Sequence, residues 1–465
     1  MSEELKNVAP SVKKETKRNP WLWVPTLYFA EGIPYFIVNT ISVLMFTNLG
    51  VPNDQMARFT SLLYLPWLLK FIWSPFVDIV KTKRWWILLM QIIISASFVL
   101  LALTLPHPDA QTIAAKGTSI SLFYTTLIIF LITAFASATH DIAADGFYML
   151  ALPQSQQSAF VGIRSTFYRI SSVFGQGVLV FIAGLLEKRG DIPMAWVWTM
   201  VITAVVFGVV TLYHTFAIPR SNNDKPNIQL DENGKPKGIW SDFGRSFATF
   251  FKKPLVWLGI AFMLLYRLPE AFLIKMIMPF LKDPREETMR VLDSGKEALF
   301  GGGLGLPTET IGLAYGTIGV IALLAGGILG GILISRWGLK KSLWPMAACM
   351  ILPCLTFCYL AIFQPTNVVA IIIAIAIEQF GYGFGFTAYM LFMMYLSEGD
   401  FKTSHYAICT AFMAASMMIP GFFAGDLQMA VGYKTFFWIV VLCGVATVLV
   451  TILAKRKVDA SYGKK

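Results

Sequence analysis

Runs of apolar residues, each long enough to cross a bilayer, recur along the whole chain. A hydrocarbon core takes about 20 apolar residues per helix, and polar punctuation divides the sequence into twelve such stretches. They fall at about 21–46, 57–80, 85–105, 119–150, 158–186, 194–217, 254–281, 308–335, 341–363, 366–397, 403–430 and 433–455, and are called spans 1 to 12. Their apolar character is continuous rather than alternating, which predicts helices. Two polar stretches are longer. Residues 218–253, with Pro, Asn, Asp, Gly and Lys, read as a loop between two sets of six helices. The stretch DPREETMRVLDSGKEALFGGGLGLP, within 282–307, reads as an outer-side insertion holding a short amphipathic piece. The expected architecture is an all-α membrane protein: a cytoplasmic tail at 1–20, a six-helix bundle at 21–217, the inter-half loop at 218–253, a second bundle at 254–455, and a cytoplasmic tail at 456–465. The first apolar run, from Trp21, has full spanning length and no small-residue cleavage site after it, so it is expected to stay as span 1.

Composition agrees with this pattern. Only 14% of residues are charged and 56% are hydrophobic, whereas soluble domains carry roughly 25% charged residues. No stretch is left for a large soluble domain, so an enzyme is not expected. A net charge of +11 would suggest nucleic acid in a soluble chain, but membrane proteins are basic because Lys and Arg collect on the cytoplasmic side. With the N-terminus inside, the cytoplasmic segments hold 24 Lys and Arg and the outer segments nine; the other five, Lys70, Arg164, Arg169, Arg267 and Lys275, fall within spans. The expectation is a multi-pass protein of a bacterial inner membrane, monomeric, with both termini cytoplasmic. The five cysteines have neither metal-ligand spacing nor a disulfide framework, and no metal or other cofactor is expected.

The halves look like repeats. SPFVDIVKTKRWW follows span 2 and GGILISRWGLKKSL follows span 8, aligning Ser74, Asp78 and Arg84 with Gly331, Ser335 and Lys341. Both resemble the major-facilitator loop signature, roughly G-x-x-x-D-R-x-G-R-R: the first copy keeps Asp78, the second Arg336 and Gly338. Paired six-helix halves are what that resemblance implies. Glycines in span 5 (Gly175, Gly177, Gly184) and span 8 (Gly319, Gly326, Gly327, Gly330, Gly331) permit close helix approach. They fit either a rocking seam between halves or packing within one half.

Ionisable residues at membrane depth are expensive and usually mark a partner, a cavity or a pathway. Glu31 lies in span 1, Asp141 and Asp145 in span 4, Glu270 in span 7 and Glu378 in span 10. In major-facilitator carriers these four helices line the central cavity. Depth counting at about 1.5 Å per residue matches Asp145 with Arg164 and Asp141 with Arg169. These read as ion pairs between spans 4 and 5, or, for Asp141 and Arg169, as part of a site or gate. Arg267 and Glu270 are spaced i, i+3 and share a face. Lys70, Arg169 and Arg267 are the candidate substrate cations, because Arg suits carboxylate recognition. Tyr35, Trp67, Tyr148, Tyr266 and Tyr389 are the aromatics placed to stack on a sugar. Glu378, Asp141, Glu31 and Glu270, in that order, are candidates to carry a proton. Asp78, Asp145, Arg164 and Arg336 are assigned to gating or ion pairing. His140 reads as a relay or as a hydrogen-bonded helix residue.

Six stretches carry a closer resemblance: FAEGIPYF in span 1, KFIWSPFVD in span 2, SATHDIAADGFYMLALP in span 4, YRISSVFGQG in span 5, LYRLPEAF in span 7 and EQFGYGFG in span 10. They resemble the AmpG-type muropeptide permeases, with Lys70, Asp78, Asp141, Asp145, Arg169 and Glu378 on motif positions. The chain departs from that pattern at Glu31, at His140 and in the 283–306 insertion. The resemblance implies import of N-acetylglucosaminyl-1,6-anhydro-N-acetylmuramic acid, with or without peptide, driven by protons. The same cations suit another anionic solute, such as an acyl-coenzyme A or a siderophore. A membrane acyltransferase is the remaining class, and His140–Asp141, its nearest approach to a catalytic group, lacks a nucleophile.

Overall fold

The computed structural model describes residues 18–116, 123–225, 239–291, 295, 297–398 and 402–463. Most of the N-tail, the middle of the inter-half loop and the last two residues lie outside them. Eleven helical stretches are long and apolar enough to cross a membrane. The last, Ser404–Lys457, is 54 residues long, far more than one crossing needs. It breaks at Gly432, whose φ of 72° lies in the left-handed region. The chain therefore crosses twelve times.

Spans 1–6 pack among themselves and so do spans 7–12. Between the two sets, span 2 lies on span 11 and span 5 on span 8. These contacts are equivalent under exchange of the halves. The loop signature shows the same correspondence. Lys81 and Gly338 occupy matching places in the two copies, and both turn through positive φ, at 61° and 77°. The left-handed turn persists even where a side chain makes it costly.

Small residues set the seam, though only some of those anticipated. A Cβ on Gly177 would meet the Thr317 hydroxyl at 2.6 Å, and one on Gly184 would meet Cα of Glu309 at 2.7 Å. Opposite them stand Gly312 and Gly316, where a Cβ would fall on the span 5 backbone. Gly175 instead faces span 1, and Gly319, Gly326 and Gly330 face span 10 of their own half. Spans 5 and 8 carry π-helical turns where they cross, at Val173–Leu179 and Gly312–Gly319.

The short amphipathic piece expected in the 282–307 insertion takes the form of two paired strands among the described residues, with Ala298 and Phe300 of the second buried. Strand β1 (Thr288–Val291) pairs antiparallel with β2 (Glu297–Phe300). The Gly301–Gly302 pair at its exit takes φ values of 80° and 77°, a conformation that suits glycine and ends the strand. The hairpin lies over the loops of one end of the bundle, here called the hairpin end; the described ends of the chain lie at the other, the tail end.

At the hairpin end the halves are tied together. Four ion pairs cross between them: Arg58–Asp426 at 2.8 Å, Lys188–Glu309 at 2.8 Å, Lys282–Glu187 at 3.3 Å, and Lys116–Asp283. Asn48 donates to Glu187 and to Thr308, whose hydroxyl donates to Glu187 at 2.6 Å. Asn53 donates to Asp283 and to Gln428, and the Tyr433 hydroxyl donates to Asp283 at 3.0 Å. Arg290 of β1 donates to the Ala115 carbonyl, and Arg285 to those of Gln364 and Pro365. The hairpin thus braces the loop after span 3 and the loop after span 9.

At the tail end the signature loop is fastened to span 6. Lys83 pairs with Asp78, and Arg84 donates to the carbonyls of Thr215 and Ile218. Asp224, beyond span 6, accepts the free amides of Lys83 and Arg84 at 2.6 and 3.0 Å and so caps span 3. In the second copy, Arg336 is exposed and makes no hydrogen bond or ion pair among the described residues. Its copy of the motif lacks the acid that could hold it.

Candidate functional site

A chamber of about 240 Å³ opens at mid-depth between the halves. Spans 1 and 2 contribute Tyr35, Tyr64, Trp67 and Lys70; span 5 contributes Arg169 and Gln176. From the other half come Arg267, Tyr315, Gln379 and Tyr382, with Met413 and Met417 of span 11 completing the wall. The kinked segment of span 1 explains part of this. Pro34 is followed by a π-helical turn at Ile37–Ile41, and such turns rotate side chains out of helical register. The Tyr35 and Trp67 rings meet edge to face at 5.2 Å and form one apolar wall.

The three candidate cations are held differently. Lys70 donates to Asp141 across spans 2 and 4 at 2.5 Å. Arg267 is bound through two parallel hydrogen bonds, 2.8 and 2.7 Å, to Glu270 one turn along its own helix. Its guanidinium also lies over the Phe386 ring at 4.7 Å and donates to the Tyr382 hydroxyl at 3.2 Å. Arg169 reaches the chamber wall and makes no ion pair or hydrogen bond among the described residues. The depth-matched partnership of Asp141 with Arg169 is therefore not formed. Spans 2 and 4 are in contact, so Lys70 reaches Asp141 directly and leaves Arg169 to the chamber.

Asp145 pairs with Arg164 at 2.5 Å and accepts from the Tyr28 hydroxyl at 2.8 Å. Arg164 stacks on Tyr28 and Tyr148, 4.3 and 5.0 Å from the ring centres. Glu31 stands beside both aspartates; its Oε2 is buried without a hydrogen-bond partner. This cluster, reaching the chamber through Lys70, holds three carboxyls (Glu31, Asp141, Asp145) against two cations (Lys70, Arg164).

Glu378 is 3% exposed and lies behind the chamber wall, not in it. Its carboxylate accepts from the amide of Gln379, which does line the chamber, and makes no ion pair among the described residues. Tyr266 and Tyr389 also sit outside the chamber. Both are fully buried and bind spans 7 and 10 together, through the carbonyls of Gly385 and Met263. Tyr148 is buried under Arg164 and likewise does not line the chamber. A tyrosine one turn too far along a helix ends in packing, and apolar sequence around it does not distinguish the two fates. His140 belongs to a buried chain in which Gln91 bridges it to His214 at 3.0 and 2.9 Å.

No separate signal marks Tyr64, Gln176, Tyr315 or Gln379 in the sequence, since uncharged polar residues are common in membrane helices. Lys275 is a visible signal of another kind, a basic residue within a span, but no sequence pattern pairs it with a site.

A two-half helical bundle with a charged chamber at its seam has the architecture of a membrane carrier. The Major Facilitator Superfamily profile matches residues 26–404, and the chain belongs to that superfamily. The chain is similar to the anhydromuropeptide permease of Escherichia coli strain K12, 22% identical, with 93% of this chain and 79% of the relative covered. It is also similar to the putative transporter AmpG 4 of Rickettsia conorii, 24% identical, with 93% and 96% covered. Among solved structures, the nucleoside transporter NupG superposes with a TM-score of 0.66 at 14% identity, with 95% of this chain and 100% of that chain covered. Relatives and structural neighbours are transporters, and this protein is a multi-pass membrane transporter, not an enzyme.

Proposed function

We propose that the protein imports an anionic cell-wall fragment, N-acetylglucosaminyl-1,6-anhydro-N-acetylmuramic acid with or without its peptide, across a bacterial inner membrane together with protons. The observation that carries the substrate reading is Arg169, a guanidinium on the chamber wall with no ion-pair partner among the described residues. A carboxylate matches its fork of donors, and the Tyr35–Trp67 wall offers a face for a sugar ring. The name of the Escherichia coli relative, an anhydromuropeptide permease, supports the same cargo.

The proton reading rests on a charge count. Three carboxyls against two cations leave one negative charge uncompensated at Glu31, Asp141 and Asp145. An unpaired charge at this depth is expensive, and one proton removes it. Glu378, also without a cation, is the second candidate. Glu270 is committed to Arg267 and is the weakest of the four. Orientation follows from the distribution of Lys and Arg: the tail end faces the cytoplasm and the braced hairpin end faces outward. In this arrangement the described conformation is closed to the outside.

The test is uptake of labelled anhydro-disaccharide into proteoliposomes with and without an imposed proton gradient. Gradient-driven accumulation supports both parts. Facilitated entry that ignores the gradient removes the coupling, and uptake of a labelled acyl-coenzyme A or siderophore, without uptake of the disaccharide, reassigns the cargo.

A further inference from the structure

Lys275 of span 7 is 4% exposed and has no acidic partner among the described residues. Its ammonium donates to the Thr60 hydroxyl of the opposite half at 3.1 Å and lies 5.7 Å from the centre of the Tyr64 ring. Two of its three N–H groups are left over. Beside it the Ser61 hydroxyl, fully buried, has no partner among the described residues either. Both converge on Gly421 of span 11, where a Cβ would meet Oγ of Ser61 at 2.7 Å and Cε of Lys275 at 3.1 Å. Among the described residues this tightly packed cluster therefore has spare donors, one basic side chain and no acidic acceptor. An anion is what such a cluster lacks.

Its place along the path is defined. Met417 and Tyr64 line the chamber, while Asp426 pairs with Arg58 at the hairpin end. Gly421 lies between them, about 6 Å from Met417 and about 7.5 Å from Asp426 along the helix. Separating spans 2 and 11 would uncover Lys275 before the chamber.

We propose that Lys275 and Ser61 form a second anion subsite, which takes the carboxylate of the incoming solute when the hairpin end opens and passes it to Arg169. The subsite rests on the reading of the protein as a carrier of anions. In the closed state Thr60 occupies the ammonium and the halves hide it.

The first test needs no substrate. Ser61→Cys is labelled from the hairpin side with an anionic and with a cationic methanethiosulfonate, and the same protein without that cysteine supplies the background. Lys275 should favour the anionic reagent, and Lys275→Gln should lower the anionic-to-cationic rate ratio about fivefold, as expected for one charge at this range, with Lys275→Arg retaining it. Lys275→Met replaces the Gln variant if that one does not fold. An unchanged ratio overturns the proposal, and so does a Ser61→Cys protein that neither reagent labels. In the second test, Lys275→Gln should raise the KM for the anhydro-disaccharide about tenfold with a smaller change in maximal rate. An unchanged KM in a variant whose labelling preference has collapsed also overturns it. A wild-type protein that carries no disaccharide refutes the substrate reading alone, and the labelling ratio still decides the role of Lys275.

Discussion

Removing Asp283 should open the hairpin end. Its carboxylate is 2% exposed and accepts from Tyr433, from Asn53 and from Lys116. Tyr433 belongs to the same half and stays with it during opening; Asn53 and Lys116 belong to the other half and must part. Only the latter two contacts therefore weigh on the equilibrium. Breaking a buried ion pair by deleting one partner costs about 3–5 kcal/mol. The Lys116 side chain keeps 14% of its surface accessible and can turn to water, which favours the lower figure. Asp283→Ala should then shift the equilibrium toward the outward-open form by about 3 kcal/mol, roughly 150-fold. Asp283→Asn keeps an acceptor for Asn53 and loses the charge, so a smaller shift of roughly tenfold is expected. Spin labels on the exposed Gln111 and Thr366 read the separation of the halves by pulsed dipolar spectroscopy in liposomes. A longer distance should gain population in the order wild type, Asn, Ala. Identical distance distributions in all three would show that this cluster does not hold the end closed.

Glu31→Gln removes the surplus negative charge of the Lys70 cluster and should leave counterflow of substrate intact while abolishing accumulation driven by a proton gradient. Glu378→Gln should do the same if that residue carries the proton, and comparing the two variants in one uptake assay identifies the carrier. Arg169→Gln should weaken binding of the anhydro-disaccharide by about 2 kcal/mol, roughly 30-fold, as for loss of a charge-assisted hydrogen bond, with little change in melting temperature; equal affinity would remove Arg169 from the site. Gly316→Val places bulk against the carbonyl of Gln176 and should abolish transport with loss of thermal stability, whereas Gly331→Val, which meets nothing within 4 Å, should be tolerated in both measurements.

Much of the architecture was legible because hydrophobic length is a direct physical requirement of the bilayer. The repeated crossings follow from it, whereas the carrier class came from the repeated loop signature and the family resemblance. The chamber was less legible. Lys70, Arg169, Arg267, Tyr35 and Trp67 do reach its wall, since charged and amphipathic side chains at mid-depth need somewhere polar to go. Tyr266 and Tyr389, a few residues away in apolar sequence, became internal struts instead. Partner choice was hidden for a related reason. Depth along a helix is countable from sequence, but Asp141 had two cations at its level, and helix adjacency decided for Lys70. The hairpin escaped the sequence pattern because its strands are short and exposed on β1, without the alternation that marks a half-buried strand. Its glycines at Gly301 and Gly302 were the available sign of a turn rather than a helix.

The crossing of spans 5 and 8 has a consequence for how such a carrier can change cargo. Gly177, Gly312 and Gly316 put main chain against main chain, so this contact between the halves is made of amide groups that no substitution alters, provided the glycines stay. Of the chamber residues, Gln176 and Tyr315 belong to the π-helical turns at this crossing, whereas Lys70, Arg169 and Arg267 lie outside them. A change of the chamber's charges at those three positions would leave the backbone contact between the halves as it is.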